Sequence, residues 1–168
     1  MKRSHLAFLI GTVGGIGYLR PAPGTWGSLA ALPMAYALHQ LGGFLLLALA
    51  TVICMIVGVW AAEAMTRNRE NMDPSEFVLD EVAGQFTALW AVSYPAWAHD
   101  IEITALWPGW IAAFVLFRLF DVWKPGPVGW ADRQKGATGV MMDDVIAGIM
   151  AAIGVVALAF LSHGVLGL

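Results

Sequence analysis

Five apolar runs, at residues 28–41, 44–62, 82–98, 104–117 and 145–161, are separated by short polar stretches. Uninterrupted apolarity on this scale predicts helices buried in lipid, not half-exposed strands. Only 44–62 has a comfortable spanning length; the others run to roughly 14–18 residues, about 21–27 Å as helix. Short spans need a thinned bilayer or help from neighbouring helices. The expected fold is therefore all-α, a polytopic membrane bundle of about four to five apolar helices. No linker or composition shift divides the chain, so residues 1–168 are expected to form one membrane-embedded domain.

Composition sharpens this picture. Hydrophobic residues make up 59% of the 168 and charged residues only 12%, too few to cover a water-facing surface. The net charge of −3 argues against nucleic-acid binding. The lone Cys54 lies inside an apolar run, so neither a disulfide nor a cysteine-rich metal site is expected. The opening MKRSHLAFLIG resembles a secretory leader, but its apolar stretch is short and glycines 11, 14, 15 and 17 follow it. It is expected to be retained.

If all five runs cross, the nine basic residues fall on one side, at positions 2, 3, 20, 67, 69, 118, 124, 133 and 135. The other side keeps Asp100, Glu102, the Gly42-Gly43 turn and the C-terminal tail. Such asymmetry predicts that the basic face is cytoplasmic. Three polar stretches then share that face: the Gly-rich residues 11–27, residues 66–81, and residues 118–144.

The last of these carries the chemistry. Residues 117–148 read FRLFDVWKPGPVGWADRQKGATGVMMDDVIAG, with Asp121, Asp132, Asp143 and Asp144 beside Arg118, Lys124, Arg133 and Lys135. Carboxylates crowded near a membrane repel one another unless a cation holds them. A related string, LDEVAG at 79–84, places Asp80-Glu81 ahead of another apolar run. Capping of the helix N-terminus would explain one such pair. Two pairs, each followed by small residues that let helices approach, point to a divalent-cation site. Arg118, Asp121 and Lys124 follow at i, i+3, i+6, either as a local ion-pair string or as a further ligand with a phosphate-facing lysine. Glycines 11–27, with Thr25 and Ser28, either form an oxyanion-binding nest or simply pack. The lysine of a nucleotide P-loop is absent, as are the cysteine-phosphatase, haloacid-dehalogenase and histidine-nucleophile motifs.

Four blocks together resemble the phosphatidylglycerophosphatase A family of bacterial inner membranes. They are PAPGTWGS at 21–28, LDEVAG at 79–84, FRLFDVWKPGPVGWADR at 117–133 and KGATGVMMDDVIAG at 135–148. One departure is Ala137, where the family usually has a second glycine after Gly136. The resemblance implies a Mg²⁺-dependent enzyme that removes the terminal phosphate of phosphatidylglycerophosphate at the cytoplasmic face of the inner membrane. Asp80, Glu81, Asp121, Asp143 and Asp144 are the expected metal ligands and catalytic acids. Lys124 and Arg133 are expected to bind the phosphate, helped by Arg20, Thr25 and Ser28. Asp132 is either a further ligand or a partner for Arg133, and attack comes from water or from an aspartate. The rival reading is a small membrane transporter or ion-binding protein using the same carboxylates.

Overall fold

The computed structural model describes residues 2–67, 74–134 and 136–164. Arg69 and Lys135, two of the nine cations, lie outside them. Among the described residues the protein is helical throughout, with α1 (Lys2–Gly11), α2 (Pro23–Thr66), α3 (Leu79–Ala98), α4 (Trp107–Trp123), α5 (Pro127–Asp132) and α6 (Ala137–Gly164).

Two glycines fold α2 into a hairpin. Gly42 (φ −159°, ψ 20°) and Gly43 (φ 64°, ψ −157°) both leave the helical region, and a side chain at Gly43 would strike the Trp97 indole. The first arm packs on α3 with residue numbers rising together: Ser28 meets Glu81, and His39 bonds Ser93 at 2.8 Å. Along the second arm they run in opposition, from Phe44 set edge-to-face against Tyr94 at 5.3 Å to Thr51 accepting from Trp90 Nε1 at 3.2 Å. The arms are therefore antiparallel, as the Gly42-Gly43 turn implied.

Among the described residues three helical stretches are long and apolar enough to cross a membrane: Pro23–Thr66, Ile103–Trp123 and Ala137–Ser162. Since the first comprises two arms, they supply four rods. The fifth rod, α3, is the hub of the bundle. Its residues 82–89 are all buried, including Gln85 and Thr87. Shielded from lipid on every side, it can carry polar groups that a lipid-facing helix could not. The outer surface is the reverse. Leu45, Leu49, Ile53 and Ile56 on α2, Ile111 and Val115 on α4, and Ile149, Ile153 and Phe160 on α6 are each 47–73% exposed. Apolar stripes at helical spacing on three elements match a hydrocarbon surrounding. Cys54 is half-buried against the core and has no disulfide partner.

The helices outlast their apolar runs. On α4 the helix continues past residue 117 through Arg118 and Asp121 to Trp123, and α6 begins at Ala137, eight residues before its apolar run. These extra turns rise at one end of the bundle and carry the charged groups. Described cations 20, 67, 118, 124 and 133 belong to this end, whereas Glu102 bonds Gln40 at the other.

Candidate active site

At the charged end α2, α3, α4 and α6 enclose a cavity of about 830 Å³. Its walls hold Asp80, Glu81, Asp121, Asp132, Asp143 and Asp144, with Arg118, Lys124 and Arg133. Three helix N-termini open towards it, because Ala22, Pro23 and Gly24 start α2, Asp80 and Glu81 start α3, and Gly136 and Gly139 flank the start of α6. The first amides of a helix lack intrahelical acceptors and favour anions.

Close helix contact builds the acidic centre. A Cβ added at Gly84 of α3 would lie 2.6 Å from the Asp144 carbonyl oxygen of α6 and 2.5 Å from the Phe117 ring of α4. One at Gly148 would strike the Gly84 carbonyl oxygen. With both glycines bare, α3 and α6 run side by side in the same direction, and α4 docks against them. Oxygens of Glu81, Asp121 and Asp144, one from each helix, then lie within 4.8 Å of one another. Each adjacent acidic pair thus splits. Glu81 and Asp144 enter the trio, while Asp80 and Asp143 line the cavity around it.

Neighbours hold these carboxylates. Arg118 pairs with Glu81 and with Asp121, the latter at 2.7 Å. Ser28 Oγ lies 3.1 Å from Glu81 Oε2, and Glu81 N–H donates to Asp80 Oδ1 at 2.8 Å. Gly24 leaves room for Glu81, whose Oε1 a Cβ there would strike. Lys124 ends α4 in a left-handed conformation (φ 50°, ψ 52°) that a lysine adopts at a cost of about 1 kcal/mol. That turn presents its ammonium to Asp132 and to Asp143, at 2.9 Å from the latter. Burial opposes the lysine's charge, but bonding to Asp132 and Asp143 outweighs it and raises its pKa above the usual value. It stays protonated across the neutral range.

Three local details bear on the alternatives that the sequence left open. Asp143 and Asp144 lie nearly two turns inside α6, so capping cannot explain them; only Asp80 and Glu81 occupy a first turn. Asp132 bonds Lys124, not Arg133. The glycine loop packs instead of forming a nest. Gly14 and Gly17 donate to Leu9 and Thr12 carbonyls at 2.8 and 3.0 Å, and a Cβ at Gly17 would meet the Glu76 carbonyl.

Of the other sequence candidates, Arg20 is exposed and Thr25 half-buried, and neither lines the cavity. Ser28 reaches it only through Glu81. Ala137 begins α6 with helical geometry, whereas Gly136 at φ 96° is the position that needs glycine. Sequence reasoning gave Arg118 no place in the site. Its i, i+3 spacing to Asp121 was visible, but its contact with Glu81, 37 positions away, was not.

The carboxylate trio fits a cation on two observations. Its oxygens converge from three rigid helices, and the neighbouring Asp143 Oδ1 is buried without a hydrogen-bond partner.

Comparison with known proteins gives the family. The family profile described as phosphatidylglycerophosphatase A matches residues 9–159. A Haemophilus influenzae protein of that name is 36% identical over 148 residues, covering 87% of this chain and 84% of the relative. The Escherichia coli protein of that name is 33% identical over 154 residues, covering 90% and 83%. A Bacteroides thetaiotaomicron protein with the provisional name phosphatidylinositol-3-phosphatase is 40% identical over 155 residues, covering 89% and 91%. No solved structure gives a significant match. The profile spans nearly the whole chain and the two relatives of that name cover most of it, so the protein belongs to the phosphatidylglycerophosphatase A family.

Proposed function

We propose that this enzyme is a Mg²⁺-dependent phosphatase that hydrolyses the terminal monoester of phosphatidylglycerophosphate, giving phosphatidylglycerol and phosphate. Residues 1–168 act as one domain in the bacterial inner membrane, with the site on the cytoplasmic side. The observation that carries this reading is the charge imbalance of the cavity. Among the described residues six carboxylates face three cations there, a net charge of −3 from those side chains. A dianionic phosphate cannot enter such a site without added positive charge. Two divalent ions would bring the balance to +1.

Glu81, Asp121 and Asp144 would hold the metal, with Asp80 and Asp143 beside them. Bound Mg²⁺ supplies Lewis-acid stabilisation of the phosphoryl oxygens and prefers the hard oxygen donors available here. The chain's own groups do the rest. Arg118 keeps Glu81 and Asp121 aligned, and Lys124 adds fixed positive charge at the cavity wall. The start of α2 lines the cavity at Gly24, whose amide would face the phosphate, and Thr25 and Ser28 contribute through that helix. Arg20 adds long-range attraction from outside the cavity. The gathering of buried acids at one end favours a hydrolase over a transporter, whose ionisable groups belong at mid-membrane.

Purified protein in detergent should release phosphate from phosphatidylglycerophosphate with Mg²⁺ and lose that release in EDTA. Release unaffected by EDTA would remove the metal from the reading. A full set of phosphoinositide substrates should be slower than phosphatidylglycerophosphate; the reverse order would transfer the assignment to the headgroup named for the Bacteroides relative. Orientation has its own test. Because α6 runs away from the charged end, a reporter fused after Leu168 should read as periplasmic, and a cytoplasmic signal would invert the topology.

A further inference from the structure

Arg118 uses only part of its guanidinium. Nη1 bonds Glu81 Oε2 and lies 2.7 Å from Asp121 Oδ2, so one nitrogen serves two of the three converging carboxylates. The N–H groups on Nε and Nη2 make no hydrogen bond among the described residues, although the side chain is only 18% exposed. A counter-ion for two carboxylates needs no such fork. An ammonium suffices, as Lys124 shows with Asp132 and Asp143. Idle donors on a largely buried group are unfavourable unless something accepts from them.

Packing fixes where those donors stand. Phe117 is fully buried with its ring against Gly84, and that contact sets the rotation of α4. Arg118 follows, turned about 100° round the helix, and reaches Glu81 of α3 and the start of α2 together. A Cβ placed on Gly24 would lie 3.3 Å from Arg118 Nη1, and both residues line the cavity. Gly24 belongs to the first turn of α2, where the N-cap residue Ala22 offers no side-chain acceptor to the leading amides. The guanidinium therefore stands between the carboxylate trio and a second, independent group of donors.

We propose that Arg118 touches the substrate: Nε and Nη2 bind non-bridging oxygens of the scissile phosphate while Nη1 stays on Glu81 and Asp121. The inference rests on the phosphatase reading above and adds a catalytic residue to it. The Nε–Nη2 edge is a planar fork that matches two phosphate oxygens. Its positive charge is in place before the phosphoryl group is transferred, so it stabilises that charge without rearrangement. One rigid group shared by carboxylates and phosphate also sets the distance between them. This is a use for arginine that neither an ion-pair string nor an alignment role requires.

Arg118→Lys is the deciding variant, because an ammonium can keep the ion pairs with Glu81 and Asp121 but has no second edge. Full-length protein in detergent is titrated calorimetrically with Mg²⁺ alone and with inorganic phosphate in the presence of Mg²⁺, and melting and phosphate release are followed on the same preparation. Arg118→Lys should keep the Mg²⁺ affinity and melting midpoint close to wild type. It should weaken phosphate binding roughly 10-fold or more and lower kcat/KM on the order of 10²-fold. Arg118→Gln, lacking both charge and fork, should lose more phosphate affinity, and it decides the matter if the lysine variant does not fold. Unchanged phosphate affinity in these variants, or no phosphate binding by wild type, would overturn the proposal. So would a loss of Mg²⁺ affinity equal to the loss for phosphate, which marks a residue that only aligns the carboxylates. Wild-type protein that binds phosphate through Arg118 yet leaves phosphatidylglycerophosphate intact would sink the phosphatase reading instead and leave this assignment standing.

Discussion

Replacing Asp144 with asparagine should reduce turnover on the order of 10³-fold while the protein still folds. Asp144 is only 4% exposed and its carboxylate shares a 4.8 Å neighbourhood with those of Glu81 and Asp121. Asparagine preserves shape and removes one charge from the point where three converge. Folding should not suffer, because that charge is repelled by its neighbours when no cation balances it. The expected pattern is a melting midpoint equal to or above wild type in EDTA, a smaller rise on adding Mg²⁺, and almost no phosphate release. Near-normal kcat at saturating Mg²⁺ would remove Asp144 from the catalytic group. Asp80→Asn and Asp143→Asn provide the comparison, since both residues line the cavity outside the trio and should cost less.

The second large effect concerns packing. Gly84→Ala should lower stability by about 1–3 kcal/mol and should also cut activity. The added Cβ would press on the Phe117 ring at 2.5 Å and on the Asp144 carbonyl oxygen at 2.6 Å. The ring can tilt, but a backbone oxygen moves only if α6 moves. Because the side chain of Asp144 rides on the same residue, the ligand geometry shifts with the helix, and an error of an ångström at a reacting centre is costly. Thermal melting in detergent and phosphate-release kinetics on the same preparation give both readouts. Unchanged melting and unchanged kcat would show that the α3–α6 contact is looser than the structure has it. Unchanged kcat with a lower midpoint would separate the packing role from the catalytic one.

Much of this protein was legible in its sequence, for identifiable reasons. Four of the five apolar runs announced lipid-facing helices because hydrocarbon leaves a backbone few other options, whereas the run at 82–98 became the shielded hub α3. The Gly42-Gly43 pair marked the hairpin between the arms of α2, and the one-sided cations marked the charged end. The acidic blocks, with their small residues one turn on, carried both the candidate metal site and the family resemblance.

Other features depended on contacts between residues distant in the chain. The glycine loop offered a nest or packing, and the nearness of Glu76 selected packing. Asp132 offered two roles, and the left-handed turn at Lys124 brought the lysine to it. Arg118 appeared only as part of a local string because its second partner, Glu81, belongs to another helix.

By itself the sequence determined which residue types are present, which runs are apolar enough for helices in a membrane, and which end of the bundle is charged. Periodicity and composition fix these properties before any helix meets another. The tertiary structure decided which acid of each pair enters the trio. Neighbouring residues on a helix point about 100° apart, so Asp80 and Glu81, or Asp143 and Asp144, cannot both face the same point. Helix rotation selects between them, and the bare surfaces of Gly84 and Gly148, where α3 and α6 touch, set that rotation.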